Sequence, residues 1–395
     1  MTASPSKSRF KNPRARYNFV GRTCSVTGVG AYVPRRILTN ADLEKLVDTT
    51  DEWITTRTGI KERRIAADHE HTSDLATEAA RRAMQDAGIT AEQIDLIIVA
   101  TITPDMFFPS TACLVQAKLG AHRAAAFDLE AACSGYIYGL EIAQQFIMSR
   151  TYDTVLVIGA EKLSTIIDWK DRNTCVLFGD GAGAAILQNR PQSHGLLTAV
   201  MGSDGLKADL LCMPGGGSRC PATAQSVAAR LHFLQMDGRE TYKNAVQAMQ
   251  TAAREALQRC ELAIHQIHCI IPHQANQRII DAVADRLGAK PEQMFVNVNK
   301  YGNTSAASVG IALDEAVRCV NRAEKQEAAW NEAVESGTQQ LADAQAQDAR
   351  RKLITTRGEL IPLAQENQRI AGLRSGPDSP AARLKRVTAR VAEVK

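Results

Sequence analysis

No stretch of the sequence reaches the roughly 18 apolar residues that a membrane-spanning helix needs, and its basic start leads into no apolar signal core. A soluble, intracellular protein of the cytoplasm is expected, with a transit peptide for plastid or mitochondrial import as the alternative. No Cys-x-x-Cys pair occurs among the nine cysteines (Cys24, Cys113, Cys133, Cys175, Cys212, Cys220, Cys260, Cys269 and Cys319), so neither a zinc site nor a disulfide framework is indicated. Acids are missing from residues 1–36, which hold eight bases, while residues 320–395 hold thirteen bases and ten acids. The other 26 bases and 33 acids, of 47 and 43 in all, leave residues 37–319 at a net −7 beneath the overall +4. An acidic body does not suit a nucleic-acid partner.

What is present can build a large core: 395 residues, 45% hydrophobic and 23% charged. At roughly 150 residues per domain this means two or three domains, or one large α/β unit. Residues 1–21 are polar, Arg-rich and without period, and read as a disordered lead-in. Beyond them strands are expected over 25–32, 96–101, 124–129, 154–158 and 182–187. Helices are expected over 40–47, 73–87 and 111–119, and from just after Cys133 to about 148. Such alternation implies an α/β fold with a mainly parallel sheet.

An internal repeat organises the pattern. AARRAMQDAGITAEQIDLII (79–98) and AAREALQRCELAIHQIHCII (252–271) align without a gap at an offset of 173, with nine of twenty positions identical. Each copy reads as an amphipathic helix, a turn and a buried strand, one unit used twice. The same offset carries Cys133, in Glu130-Ala-Ala-Cys-Ser-Gly-Tyr136, onto Ala306 in Gly302-Asn-Thr-Ser-Ala306. Equivalent strand ends of a duplicated α/β fold face one crevice, so Cys133 and Asn303 are expected to converge.

Cys133 follows a strand and precedes a helix, where the positive end of the helix dipole lowers a thiol's pKa. Small neighbours (Ala131, Ala132, Ser134, Gly135) leave room for an acyl group, although a buried structural cysteine fits the same pattern. His273, fixed behind Pro272 and ahead of a helix over 276–287, is expected to stay neutral through the same dipole and to donate an N–H to an oxyanion. A helix-capping or core histidine is its other reading. Asn303 reads alone as a turn residue and gains weight from its place opposite Cys133. A Cys, a neutral His and an Asn suit acyl-thioester chemistry. Gly179-x-Gly181-x-Gly183 precedes a strand and opens no helix, so it fails as a dinucleotide loop and reads as close backbone packing.

Five segments, DEWITTRTGIKERR (51–64), FDLEAACSGY (127–136), FGDGAGAAILQ (178–188), IIPHQANQRII (270–280) and NKYGNTSAASVGIALDEA (299–316), resemble β-ketoacyl-ACP synthase III over residues 22–318. The resemblance implies a thiolase-like fold, internally duplicated in a five-layered αβαβα arrangement, with halves at 22–190 and 191–319. It implies that Cys133 takes an acyl group, typically acetyl, from acyl-CoA. His273 and Asn303 then stabilise the enolate formed as malonyl-ACP loses CO₂, and the product is 3-oxoacyl-ACP. No cofactor is implied beyond the coenzyme A thioester substrate. Trp53 and Arg57 match residues that sandwich the CoA adenine, and Arg172 matches a CoA-phosphate contact; a half-buried aromatic beside solvated arginines is the plainer reading. Phe108 matches the residue that closes the acyl pocket across a homodimer. Gln274, Ala275, Asn276, Gln277 and Arg278 match the segment described as binding acyl carrier protein, with Lys243 and Arg286 as nearby bases.

The resemblance ends near residue 319. By the offset, the second half needs strands near 327–331 and 355–360; the first window is helical in character and the second only weakly strand-like. Residues 320–395 are rich in Ala, Gln, Glu and Arg and lack the family's closing glycine triplet, so a helical or disordered tail is expected and the second half reads as incomplete. Two other readings follow: a damaged, non-catalytic paralogue that only binds, or another thiolase-fold acyl-CoA condensing enzyme.

Overall fold

The computed structural model describes residues 22–190 and 195–335. The lead-in expected over 1–21 and the tail from 336 onward, with its weak strand window at 355–360, lie outside the described residues. In chain order the first half comprises β1 (Cys24–Tyr32), β2 (Arg36–Thr39), α1 (Asn40–Leu43), α2 (Asp51–Thr58), β3 (Glu62–Ile65), α3 (Thr72–Ala87), β4 (Leu96–Ala100), α4 (Thr111–Leu119), β5 (Ala125–Leu129), α5 (Gly135–Met148), β6 (Thr154–Glu161), α6 (Arg172–Cys175) and β7 (Gly181–Asn189). The helix expected over 40–47 is the single turn α1. The helix α2 was not among the expected elements.

The main sheet has the order β1-β7-β6-β4-β5, with β2 and β3 forming a separate antiparallel pair. β4 runs parallel to β5 and β6, whereas β7 runs antiparallel to β6 and to β1. The sheet is therefore mixed, a correction to the mainly parallel expectation. Parallel neighbours need a crossover, which α4 and α5 supply; residues 162–180, between β6 and β7, hold only the 3₁₀ turn Leu163–Thr165 and the one-turn α6, neither long enough to cross the sheet as a helix, and the chain returns antiparallel.

β4 is buried at all five positions because helices cover both faces of the sheet. Ile97 and Val99 pack with Leu75, Ala76, Ala79, Ala80 and Ala83 of α3 and with Ala112 and Val115 of α4. Leu96 and Ile98 pack on the other side with Tyr136, Ala143 and Ile147 of α5. Each such Ile or Leu contributes about 1.5–3 kcal/mol by leaving water.

The second half comprises β8 (Leu211–Cys212), α7 (Ala224–Ala228), β9 (Gln235–Met236), α8 (Gly238–Cys260), α9 (Gln277–Leu287), α10 (Val298–Tyr301) and α11 (Ala307–Glu335). The duplication is visible in it. The 3₁₀ turn Ala91–Gln93 after α3 recurs as Ile264–Gln266 after α8, at the offset of 173. Ile97 pairs in parallel with Ala126, and its repeat Ile270 bridges in parallel to Met294, at an offset that has slipped to 168. The short helix α10 falls just after this bridge, where five extra residues restore the offset of 173 before residues 302–308.

The second sheet differs from the first. The repeat of β4, residues 269–273, holds only the Ile270–Met294 bridge; Cys269, in the place of the buried Leu96, is exposed, and Ile270 and Ile271 are half-buried. In the first half β6 and β7 fill the sheet between β4 and β1, and no strand among the described residues takes their place in the second half. The window at 327–331 lies within α11, as its composition suggested. Of the five layers expected, the described residues complete the first sheet and its two helical faces.

The start of α11 lies against the first sheet. A Cβ on Gly159 would stand 2.1 Å from the Ala306 carbonyl oxygen, and one on Gly183 2.4 Å from the Gly310 backbone, so only glycine permits this approach. The close-packing reading of the Gly179–Gly183 motif is met. The same contact brings residues 303–308 to the end of β6.

Candidate active site

Cys133 sits in the 3₁₀ turn Ala132–Ser134 between β5 and α5. Its Sγ lies 3.7 Å from Ser305 Oγ, to which the thiol donates. Ser305 N–H donates in turn to Asn303 Oδ1 at 2.9 Å. Two backbone hydrogen bonds clamp Asn303 itself: its N–H donates to Leu177 O at 2.8 Å, and Gly179 N–H donates to its carbonyl at 3.0 Å. With Oδ1 engaged, the Asn303 amide turns its NH₂ donors elsewhere.

His273 is tied to the same segment. Its Nδ1 is 2.6 Å from Ser308 Oγ, which also accepts from Gln274 N–H at 3.4 Å. We assign the His273 proton to Nε2, the tautomer in which the Ser308 hydroxyl donates to Nδ1 while accepting from Gln274 N–H. Under the offset His273 and Ser308 replace Ala100 and Gly135, where a Cβ on the glycine would stand 2.8 Å from Ala100 Cβ. The duplicated contact is pure packing in one half and a hydrogen bond in the other.

Electrostatics correct two expectations. Burial pushes the Cys133 thiol up to about 11, opposed by the Ser305 hydrogen bond and reinforced by the Glu161 carboxylate. A helix terminus is worth about 0.3–2 kcal/mol, too little to reverse that desolvation. His273 is held down at about 4, as a neutral ring requires, but by burial and not by a helix dipole. Its helix α9 begins only at Gln277, capped by Asn276, whose side chain accepts from Arg278 N–H at 2.8 Å.

The outer residues also gather. The guanidinium of Arg57 stands 4.8 Å from the centre of the Trp53 ring and that of Arg172 4.9 Å from it. Arg172 Nη1 donates to Asp48 O at 2.7 Å. Phe108 is 84% exposed beside exposed Phe107 and Met106. Gln274 is only 1% exposed: its Nε2 donates to the carbonyls of Pro272 and Phe295, and its Oε1 accepts from Asn297 and Val298 N–H. It brackets the His273 loop and offers nothing to a surface partner. Ala275 packs between α8 and α9, and Asn276 Nδ2 donates to Arg57 O at 3.2 Å. Gln277 Nε2 donates to Asp281 at 2.8 Å. Arg278 is exposed, its guanidinium 5.6 Å from the Tyr242 ring centre; Lys243 pairs with Glu240, and Arg286 reaches Gln247.

Sequence reasoning missed Ser305, Ser308 and Glu161. The two serines stand in a run of small residues that reads as packing; the offset placing Ser308 opposite Gly135 was the one available signal. Glu161 lies at the end of an apolar strand with no pattern around it. Among the described residues no group of His, Cys, Asp and Glu could hold a metal ion, and no helix is long and apolar enough to cross a membrane.

A mixed sheet flanked by helices, a duplicated helix–turn–strand unit and a Cys, His and Asn tied to one turn define a thiolase-fold condensing enzyme, an acyltransferase. The family model of 3-oxoacyl-[acyl-carrier-protein] synthase III matches residues 127–205, and the model of its C-terminal part matches residues 257–330. The chain is 59% identical over 293 residues to the β-ketoacyl-[acyl-carrier-protein] synthase III of Caldanaerobacter subterraneus, covering 74% of this chain and 88% of that one. It is 56% identical over 296 residues to that of Symbiobacterium thermophilum, covering 75% and 90%. The crystal structure of the Aquifex aeolicus 3-oxoacyl-[acyl-carrier-protein] synthase III superposes with a TM-score of 0.69 at 50% identity, over 75% of this chain and 91% of that one. The chain belongs to the β-ketoacyl-ACP synthase III family, condensing enzymes that initiate fatty-acid synthesis and need no cofactor.

Proposed function

We propose that Cys133 takes an acyl group, acetyl in the simplest case, from acyl-CoA, and that malonyl-ACP then condenses with it. As CO₂ leaves, negative charge collects on the enolate oxygen of the malonyl thioester. The His273 Nε2–H and the Asn303 amide donate to that oxygen in a buried setting, where such donors are worth most. The enolate carbon attacks the Cys133 thioester and 3-oxoacyl-ACP departs, acetoacetyl-ACP for an acetyl primer. One observation carries this reading: the neutral His273 and the clamped Asn303 are tied through Ser308 and Ser305 to the turn that faces the thiol.

Around this centre, Trp53, Arg57 and Arg172 form the seat of the CoA adenine and phosphates, supported by the two guanidinium groups already placed on the indole. Exposed Arg278, with Lys243 and Arg286 on the neighbouring helices, meets the acidic carrier protein; Gln277 and Asn276 lie at the edge of this face. Phe108 closes the acyl pocket of a second copy in a homodimer, which accounts for two large exposed aromatics in a row. The chain divides into halves at 22–190 and 191–319 and works in the cytoplasm. Residues 320–335 do not supply the second half's counterparts of β6 and β7, a view supported by α11 running on as helix through 327–331.

Incubation with radiolabelled acetyl-CoA tests the reading. Label is expected on Cys133, lost in Cys133→Ala, and chased into 3-oxoacyl-ACP by malonyl-ACP but not by malonyl-CoA. An unlabelled, folded protein would sink the transfer; equal chase by malonyl-CoA would sink the carrier requirement.

A further inference from the structure

We propose that Glu161 is a positioning residue for the proton of Cys133, receiving it through Ser305 when the thiol is acylated and returning it when the thiolate is released. The proposal rests on acyl transfer to Cys133 as read above.

Glu161 ends β6 and is 0% exposed. Thr103 Oγ1 donates to it at 2.6 Å, Thr101 Oγ1 at 3.2 Å, and Ile102 N–H at 3.2 and 3.3 Å to its two oxygens. The Ser305 hydroxyl lies beside it and favours its charged form, and the glycine contact of Gly159 with the Ala306 carbonyl holds the end of β6 against this turn. Since Ser305 Oγ accepts from the Cys133 thiol at 3.7 Å, its own proton is free to turn to the carboxylate. Thiol, hydroxyl and carboxylate thus form one chain, and its Ser305 and Glu161 links are shut off from water together with Thr101 and Thr103.

Of the titratable side chains at the site, His273 is not poised to take the proton. His273 carries its proton on Nε2, spends Nδ1 on Ser308, and is held at about 4 by burial. The Cys133 thiol, pushed up to about 11, is ionised in only about one molecule in 10⁴ at pH 7. The carboxyl of Glu161 is pushed up by burial to about 7, where it can both accept and release a proton. Other nearby charges are turned elsewhere: Lys162 Nζ to the carbonyls of Ala67 and Glu70, Asp180 to Ala66 and Ser164, Asp105 to Ser73, and Asp314 to Arg318.

The step balances. Cys133 sulfur bonds the acyl carbon while the carbon–sulfur bond to CoA breaks; CoA leaves as thiolate and takes a proton from solvent, and the thiol proton passes to Ser305 as the Ser305 proton passes to Glu161. In the condensation the Cys133–acyl bond breaks, and the released thiolate recovers its proton from Glu161 by the reverse path. No oxidant, reductant or further reactant enters.

The test follows Cys133 acetylation by acetyl-CoA, and alkylation by iodoacetamide, from about pH 5 to 9 in the full chain and in Glu161→Gln, Ser305→Ala and Glu161→Asp. The wild-type rates are expected to rise through an inflexion near 7. Ser305→Ala and Glu161→Gln should lose the inflexion and fall about 10–100-fold at pH 7, and Glu161→Asp should regain it at a shifted pH. Ser305→Ala leaves the threonine bonds of Glu161 in place, so it answers the question even where Glu161→Gln does not fold. A wild-type profile without the inflexion, or one unchanged in folded Ser305→Ala, overturns the relay and sends the proton to solvent. Alkylation with the inflexion but without acetylation supports the relay and overturns the acyl-CoA reading.

Discussion

Ala132 and Ser305 adopt the same left-handed backbone, φ 45° in each, and stand 173 residues apart, the offset of the internal repeat. Two L-residues in this conformation cost of the order of 1 kcal/mol each. The pair flanks the thiol: Ala132 precedes Cys133 in the chain, and Ser305 faces it in space. A β-branched side chain tolerates this region worst. Ala132→Val is expected to lower stability by about 1–3 kcal/mol and to slow Cys133 alkylation, while Ala132→Gly stays within about 1 kcal/mol of the parent because relieved strain offsets added chain entropy. Urea unfolding and alkylation rates check both.

His273 and Glu161 give stability opposite dependences on pH. The folded state holds His273 at about 4, below its ordinary 6.5, so the unfolded chain binds the extra proton and stability is lost as pH falls from 6.5 towards 4. Glu161 is held at about 7, above its ordinary 4.5, so the folded chain binds the extra proton and stability is lost as pH rises from 4.5 towards 7. Each effect is of the order of 3 kcal/mol over its window. Relative to the parent, Glu161→Gln should gain stability as pH rises through 4.5–7, and His273→Asn should gain it as pH falls through 6.5–4. Denaturant titrations at several pH values measure both slopes; parallel curves would contradict the assigned protonation states.

Arg172 and Arg57 rest on one indole. A cation–π contact of about 0.5–2 kcal/mol, with the charge it brings to a phosphate, predicts that Arg172→Ala raises the KM for acyl-CoA by about 3–30-fold with kcat nearly unchanged. Added salt should shrink the difference. Steady-state kinetics at two ionic strengths decide it.

Gln274 and Arg278, four residues apart, are expected to fail in different ways. Gln274→Ala strands the backbone groups that the amide satisfies and should cost about 2–4 kcal/mol of stability. Arg278→Ala, on an exposed side chain, should leave the melting temperature within a degree or two and weaken carrier-protein binding in a salt-dependent way. Thermal melts and a binding titration separate them.

Backbone amides of residues 269–271 should exchange faster with deuterium than those of residues 96–98. Leu96–Ile98 have strands on both sides and lie buried, whereas their repeats hold one bridge and are partly open. Equal protection in the two copies would mean that a further segment of the chain completes the second sheet.

Much of this was legible in the sequence because it rests on local spacing. The apolar run of β4, the alanine stripe of α3 and the repeat at 79–98 and 252–271 each declare themselves within about twenty residues, and the offset between repeats was enough to bring Cys133 and the Asn303 turn together. The mixed strand order was not legible, since nothing in the composition of β7 tells whether it returns parallel or antiparallel. The absence of a crossover helix from residues 162–180 decides that. Nor could the sequence give Gln274 its role, because an amide in a motif looks the same whether it faces solvent or four backbone groups.

The sequence alone thus determined the repeat, the Cys133, His273 and Asn303 that we propose as nucleophile and donors, and the family resemblance, because these depend on residue type and order. Tertiary structure decided the electrostatics. Burial, a property of everything packed around a side chain, raised Cys133 against its helix dipole, kept His273 neutral and left Glu161 able to hold a proton; no count of neighbours along the chain contains that information.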